Sequence, residues 1–231
     1  MFDFPDTWNI GPNLSRWIDG WIDWVIVTFD PFFSVVNKGV LALLVPLERG
    51  LMGEPLYRGM PEWITMPWWA IFILTIVVAW KTAGKNVAYI ATALFLVIGI
   101  LGLFDFAMQT LAITFTATLI AIGLGLPLGI LGSKSSRMDT ILRPILDGMQ
   151  TMPSFVYLVP AIMLFGLGKT PAVMATVIYA IPPLIRLTNL GIRQVDKEVV
   201  EAGLAFGSTP LQLLTKVQLP MAKPTIMAGI N

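Results

Sequence analysis

Two residue types are missing from the 231-residue chain: it has no cysteine and no histidine. Without cysteine there is no disulfide, no thiol nucleophile and no thiolate metal ligand. Without histidine there is no imidazole base, and the usual His–Cys zinc sets are excluded with it. Charge is scarce as well, at 13% of residues, where soluble domains carry about 25%. Apolar residues take up the difference, at 56% of the chain and a mean hydropathy of +0.77. Low charge and long apolar runs together predict an all-α integral membrane protein, a polytopic helix bundle. No catalytic group, metal or cofactor is expected in it, and no nucleic-acid partner. The first residues lack a basic stretch followed by an apolar core, so no cleavable leader is expected.

The few charges are unevenly placed. Residues 1–66 hold four Lys/Arg against eight Asp/Glu, and the remainder eleven against six. Residues 1–62 read as an amphipathic, interfacial region, external to the membrane. Leu14, Trp17, Ile18, Trp21, Ile22 and Val25 recur at helical spacing, with Arg16, Asp19 and Asp23 opposite. Trp17, Trp21 and Trp24 suit the headgroup level of a bilayer, or packing on the protein's own spans. Pro31 and Pro46 bracket residues 32–47, which read as a second surface or re-entrant helix, or else as a true span that would invert the N-terminus.

Five apolar stretches follow. Residues 63–104 hold the first two, at about 63–80 and 86–104; the third covers about 107–131, the fourth 141–165 and the fifth 171–190. The fifth is expected to break at Pro182-Pro183, and a sixth to begin near Pro224. A bilayer core takes about 20 helical residues to cross. Lys81 and Lys85, then Lys134, Arg137 and Arg143, then Arg193, Lys197, Lys216 and Lys223 occupy every second loop. Basic loops stay in the cytoplasm, which places the segment after the fifth span there and the acidic N-terminal region outside.

That segment, residues 196–220, is the most distinctive in the chain. Asp196 is placed to cap a short helix, and Gly207 to end it with positive φ. Ser208 or Thr209 caps a second helix with Pro210 in its first turn. Val199, Ala202, Leu204, Ala205 and Phe206 form one apolar side, and Leu211, Leu213, Leu214 and Val217 another, with Pro220 expected to stop the helix. A helix-turn-helix packed on its own protein would carry the same signals. The spacing Glu201-Ala202-Gly203-x3-Gly207, then Val217-x-Leu219-Pro220, resembles the EAA loop of permease subunits of bacterial ABC importers (type I, MetI-like). The resemblance implies docking onto a separate ATPase through Glu201, Ala202, Gly203, Phe206, Gly207, Leu219 and Pro220.

A second signal lies inside the fourth stretch. Gln150, Thr151 and Ser154 flank Pro153, which predicts a distorted helix facing protein or water. Gln150, Thr151, Pro153, Phe155 and Tyr157 are therefore candidates for a translocation path. Phe155, Tyr157 and Tyr179 could present ring faces to a quaternary ammonium, or simply pack within the spans. The run Asp147–Pro160, with Gly125-Leu126-Pro127-Leu128-Gly129-Ile130, Ile181-Pro182-Pro183-Leu184-Ile185-Arg186 and Lys216–Pro220, resembles the glycine betaine/proline betaine permeases (ProW/OpuAB type). The likeness covers about residues 107–231. It implies import of a quaternary amine osmolyte across the bacterial inner membrane. It also implies two copies of an ATPase, a substrate-binding protein or domain, and a permease homodimer. Further spans follow in that family, so the resemblance implies a chain cut within its sixth helix. Other readings are a permease for another small amine or amino acid, an ion-coupled carrier, and a membrane scaffold. Gly166-Leu167-Gly168-Lys169-Thr170 looks like part of a phosphate loop, but position 163 is Met rather than the required Gly. ATP hydrolysis is therefore expected of a partner.

Overall fold

The computed structural model describes residues 10–55 and 67–231. The expected start of the first span at Trp63 and its Pro61-Glu62 boundary lie outside them. Every element among the described residues is helical, as an apolar chain must be when backbone groups cannot turn to water.

The first helix, α1, runs Ile10–Met52, so the expected separate helix over residues 32–47 is its continuation, and both bracketing prolines lie inside it. Pro31 removes the N–H that would bond the carbonyl of Val27, and its ring crowds that carbonyl. The helix yields nearby, at Phe29 (φ −106°, ψ 15°), and then resumes through Pro46. On the half before the kink, Trp17, Trp21 and Trp24 are all exposed. Trp24 meets Phe29 of the same helix edge-on, with ring centroids 6.3 Å apart.

The half after the kink joins the bundle. Val40 and Leu44 pack in one cluster with Ala112, Ala117, Val173 and Val177. These belong to α4 (Phe104–Lys134) and α7 (Lys169–Arg193). Near one end of this half-helix, Phe33 stacks edge-on with Phe165, and the Thr170 hydroxyl bonds the Asn37 side chain at 2.5 Å. Near the other end, Glu48 pairs with Lys169, and Met52 shares a pocket with Phe104 and Asp105. Residues 33–52 span about 28 Å of helix, yet both ends meet the N-terminal end of the α4–α7 pair. This half therefore crosses the pair instead of running along it.

Helices α2 (Trp68–Ala83) and α3 (Lys85–Ile100) form a hairpin hinged at Gly84, whose φ is +90°. Each is 16 residues, or about 24 Å, shorter than the ~30 Å hydrocarbon core. Three helices are long and apolar enough to cross a membrane, α1, α4 and α7, with a bent pair as a fourth.

The centre of the fold is the parallel contact of α4 with α7. Along α4 the buried residues are Met108, Ala112, Thr116, Ala117, Ala121, Gly125, Gly129 and Gly132, mostly small side chains recurring on one face. In lipid, close van der Waals approach holds helices together, and small residues permit it. A Cβ on Gly125 would lie 2.8 Å from Leu184 Cδ2, and one on Gly129 2.6 Å from Thr188 Cβ. Helix α7 continues through Pro182 and Pro183, against the expected break. Pro182 is fully buried, and the surrounding packing holds the helix where two backbone bonds are missing.

The return from the end of α4 to the start of α7 is not one straight span. It consists of α5 (Ser136–Thr151), a 3-10 turn (Ser154–Tyr157) and α6 (Leu158–Phe165), bent by 104° at Met152-Pro153. Proline denies the helical conformation to the residue before it, and Met152 sits at φ −85°, ψ 135°.

After α7 come α8 (Lys197–Ala205), α9 (Pro210–Gln212), a π-helical segment (Leu213–Gln218) and α10 (Leu219–Ile230). Pro220 was expected to stop the helix, and a span to start near Pro224. Instead helical geometry runs unbroken from Pro210 to Ile230. Pro220 cannot donate to the carbonyl of Lys216. The ladder widens just ahead of it, and the Leu219 N–H bonds the Leu214 carbonyl, five residues back.

Candidate functional site: the loop after α7 and the broken helix

The loop after α7 forms as its residues suggested. The Asp196 side chain accepts the Glu198 N–H at 2.9 Å. Gly207 takes φ +78°, and the Ser208 N–H bonds the Gly203 carbonyl at 3.1 Å, closing α8 as glycine-ended helices do. Thr209 and Gln212 make a reciprocal capping box, with Pro210 in the first turn. Two consecutive caps on a glycine turn leave this hairpin little freedom.

Which side faces out could not be read from periodicity. Val200, Ile192, Val195, Leu214, Ala222 and Ile226 form or flank an internal cluster with Leu219. Gly203 faces inward, where a Cβ would lie 2.8 Å from Leu213 Cδ1. Gly203 and Leu219 thus hold the hairpin to its own chain. Ala202, Leu204, Ala205 and Phe206 point away from it. Phe206 is 90% exposed, and Leu204 and Leu211 are exposed beside the turn. The hairpin therefore presents a small apolar knob on a rigid support. Glu201 lies at its side, joining Lys134, Arg193 and Lys197 around a cleft of about 330 Å³. Pro220 is exposed on the helix leading away.

Between this loop and the broken helix lies a polar node absent from the sequence expectations. Asp139 is buried. Its carboxylate accepts from Arg143 Nη2 at 2.6 Å and Asn189 Nδ2 at 2.6 Å, with Arg193 Nη2 at 3.7 Å. Arg193 also donates to the Gly132 carbonyl at 2.8 Å. Asp139 stands in the first turn of α5, ahead of the apolar stretch expected over residues 141–165. Chiefly the Arg143 hydrogen bond, opposed by burial and helped by Asn189, holds its carboxyl below the usual carboxylate range. Asp147 and Arg186 pair with each other as well. The Asp139–Asn189 and Asp147–Arg186 contacts both bridge α5 to α7 and fix the slant of α5. The i, i+4 spacings Asp139–Arg143 and Asn189–Arg193 were the legible signal for this node.

The break at Pro153 separates the candidate path residues. Gln150 and Thr151 end α5 and are exposed, and the Thr151 hydroxyl bonds the Gly148 carbonyl at 3.0 Å. Pro153 is exposed at the bend. Tyr157 turns back and donates to the Met149 carbonyl, tying α6 to α5. Phe155 faces elsewhere, into a cleft of about 340 Å³ lined by Ser154, Leu158, Ala172, Ala175, Thr176 and Tyr179. The structure thus brings Phe155 and Tyr179 together and leaves Tyr157 out. At the Gly166–Thr170 turn, Lys169 pairs with Glu48 and Thr170 with Asn37; these side chains are engaged with α1.

Parallel small-residue helices, a helix broken at mid-course and an apolar hairpin hung after a span define a polytopic helical permease subunit. The comparisons agree with that class. Residues 121–230 match the family of binding-protein-dependent transport system inner membrane components. The chain is 45% identical over 219 residues to the glycine betaine/proline betaine transport system permease protein ProW of Escherichia coli, covering 94% of this chain and 58% of that protein. It is 43% identical over 221 residues to the glycine betaine transport system permease protein OpuAB of Bacillus subtilis, covering 94% and 73%. It is 43% identical over 224 residues to the glycine betaine/carnitine transport permease protein GbuB of Listeria monocytogenes, covering 94% and 74%. The chain belongs to this family of ABC-importer permeases, which are multi-pass inner-membrane transport components and not enzymes.

Proposed function

We propose that this chain is the membrane permease of an ATP-driven importer for glycine betaine, proline betaine or a related quaternary amine. The observation that carries the proposal is the apolar knob of Leu204, Phe206 and Leu211 on the Gly207 turn. Several large apolar side chains exposed together on a capped turn make a contiguous patch of the kind that marks an interaction surface. A separate ATPase covers it here, one copy on each permease of a homodimer. ATP closes the two ATPases, and the hairpin carries their motion through Gly203, Leu213 and Leu219 into α7 and α10. Access to the path then switches from one side of the membrane to the other. Glu201, Ala202, Phe206, Gly207 and Pro220 face the ATPase; Gly203 and Leu219 anchor the hairpin behind it.

The basic loops place this hairpin in the cytoplasm and the acidic N-terminal region outside. The crossing of α1 over the outer end of the α4–α7 pair supports the second placement. Gln150, Thr151, Pro153 and Phe155 line the path, and Tyr157 stiffens its bend. A binding protein delivers the substrate at the outer face.

The test is uptake of labelled glycine betaine into proteoliposomes that hold the whole permease, its ATPase and the binding protein. ATP-dependent uptake competed by proline betaine is expected. Uptake that survives removal of the ATPase and follows an ion gradient would replace this reading with a secondary carrier. ATP hydrolysis without betaine uptake would keep the importer and reject the substrate.

A further inference from the structure

We infer that the cleft between the Ser154–Tyr157 turn and α7 is a transient subsite for the methylated ammonium group of the substrate. The inference rests on the importer reading above and names the residues that meet the substrate within the membrane. Ala172, Ala175, Thr176 and Tyr179 line the cleft from one side, at the spacing of a single helix face. The two alanines open the space. The 104° bend at Pro153 brings the other wall: it swings Ser154 and Phe155 off the line of α5 and against that face.

The cleft's chemistry selects for one kind of ligand. Two aromatic rings line it, Phe155 and Tyr179, both more than half exposed and so open to a ligand. No Asp, Glu, Lys or Arg is among its lining residues. A quaternary ammonium has no N–H to donate and cannot use hydrogen-bond acceptors as a primary amine does. It is held instead by ring faces around a diffuse positive charge. The Thr176 hydroxyl donates its proton to the Ala172 carbonyl at 2.8 Å, which leaves the oxygen's lone pairs as its remaining polar face. Every one of these features favours a cation, and none supplies the full charge that would trap it. A volume near 340 Å³ admits a trimethylammonium head. With no cationic side chain present, the cleft reads the ammonium end and leaves the carboxylate unrecognised.

Because this chain has no cysteine of its own, a thiol placed in the cleft can be followed in the assembled importer by mass spectrometry of the labelled peptide. A single Ala175→Cys thiol in the cleft is labelled with a small maleimide, with and without millimolar tetramethylammonium. Slower labelling with tetramethylammonium is expected, with no effect of sodium or of neutral neopentyl alcohol. Protection is lost in Phe155→Leu and Tyr179→Leu and kept in Phe155→Tyr. The same Leu variants lower betaine uptake at sub-saturating substrate by about 3- to 30-fold, the range for losing one well-placed ring–cation contact. Equal labelling with and without tetramethylammonium overturns the subsite whether or not the importer transports betaine. Full protection in both Leu variants overturns it as well. Protection together with absent ATP-driven uptake would keep the subsite and reject the transport reading, so the two fail separately.

Discussion

At the scale of residues, the fold depends on where side chains are left out. Gly129 lies so close to α7 that an added methyl carbon would stand 2.6 Å from Thr188 Cβ and 3.0 Å from the Ile185 carbonyl oxygen. Backbone cannot retreat as a flexible side chain can. Gly129→Ala is therefore expected to part the helices and lower stability by about 1–3 kcal/mol, the usual range for overpacking. Thermal unfolding in detergent measures it. Gly123→Ala on the same helix meets nothing within 4 Å and serves as the control, with an unchanged or slightly raised midpoint. Equal melting of the two variants would overturn the close-approach account. The Asp139 node is the polar counterpart. Hydrogen bonds hold its carboxyl below the usual range, so its stabilisation is complete at neutral pH and is lost only as pH falls through that lowered value.

At the scale of elements, the hairpin of α8 and α9 separates folding from docking. Gly203, Val200, Leu213 and Leu214 hold it in place, whereas Phe206 contributes almost nothing to the chain's own packing. Phe206→Ser should leave the melting midpoint unchanged and weaken ATPase association by about tenfold or more, the scale of an aromatic anchor at an interface. Co-purification with the ATPase against salt and detergent controls reads it, and undiminished association would remove Phe206 from the interface. Gly207 acts differently, since its φ of +78° strains any β-branched residue. Gly207→Val is expected to leave the spans folded and ATP hydrolysis running while uptake falls, because a distorted turn no longer passes the motion on. Unchanged uptake in that variant would count against the role. The π segment ahead of Pro220 belongs to this scale too: it lets one helix run from the hairpin into α10, a stiffer connection than two helices and a joint.

At the scale of the molecule, orientation decides whether the hairpin can meet an ATPase at all. Single-cysteine variants of this cysteine-free chain test it without background. Lys197→Cys on α8 and Leu167→Cys at the α6–α7 turn, where Leu167 is 91% exposed, should label from opposite sides of sealed vesicles. A membrane-impermeant maleimide reaching both from one side would overturn the assigned topology. The first half of α1, with Trp17, Trp21 and Trp24 exposed, suits a headgroup layer. The second half lies crosswise and ties the start of α7 through Glu48–Lys169 and Asn37–Thr170.

Some of this was decided by local chemistry and was legible in the chain. Low charge and long apolar runs made it helical and membrane-bound. Asp196, Gly207, Thr209 and Pro210 set the caps of the hairpin, because capping depends on residues a few positions apart. The prolines depart from expectation where their neighbours outweigh them. Pro182 and Pro183 stay inside α7 because packing along that helix offsets the missing backbone bonds. Pro46 is itself exposed, but Leu44 and Leu47 on either side of it are packed in the core and keep α1 continuous. Pro220 is absorbed by a widened turn. Pro153, on an exposed connection with no packing to hold it straight, breaks its helix fully. The inward and outward faces of the hairpin, the crossing of α1, the Asp139 node and the meeting of Phe155 with Tyr179 were settled by the tertiary structure alone. Each depends on residues from different helices, and periodicity along one helix carries no information about which neighbour will cover which face.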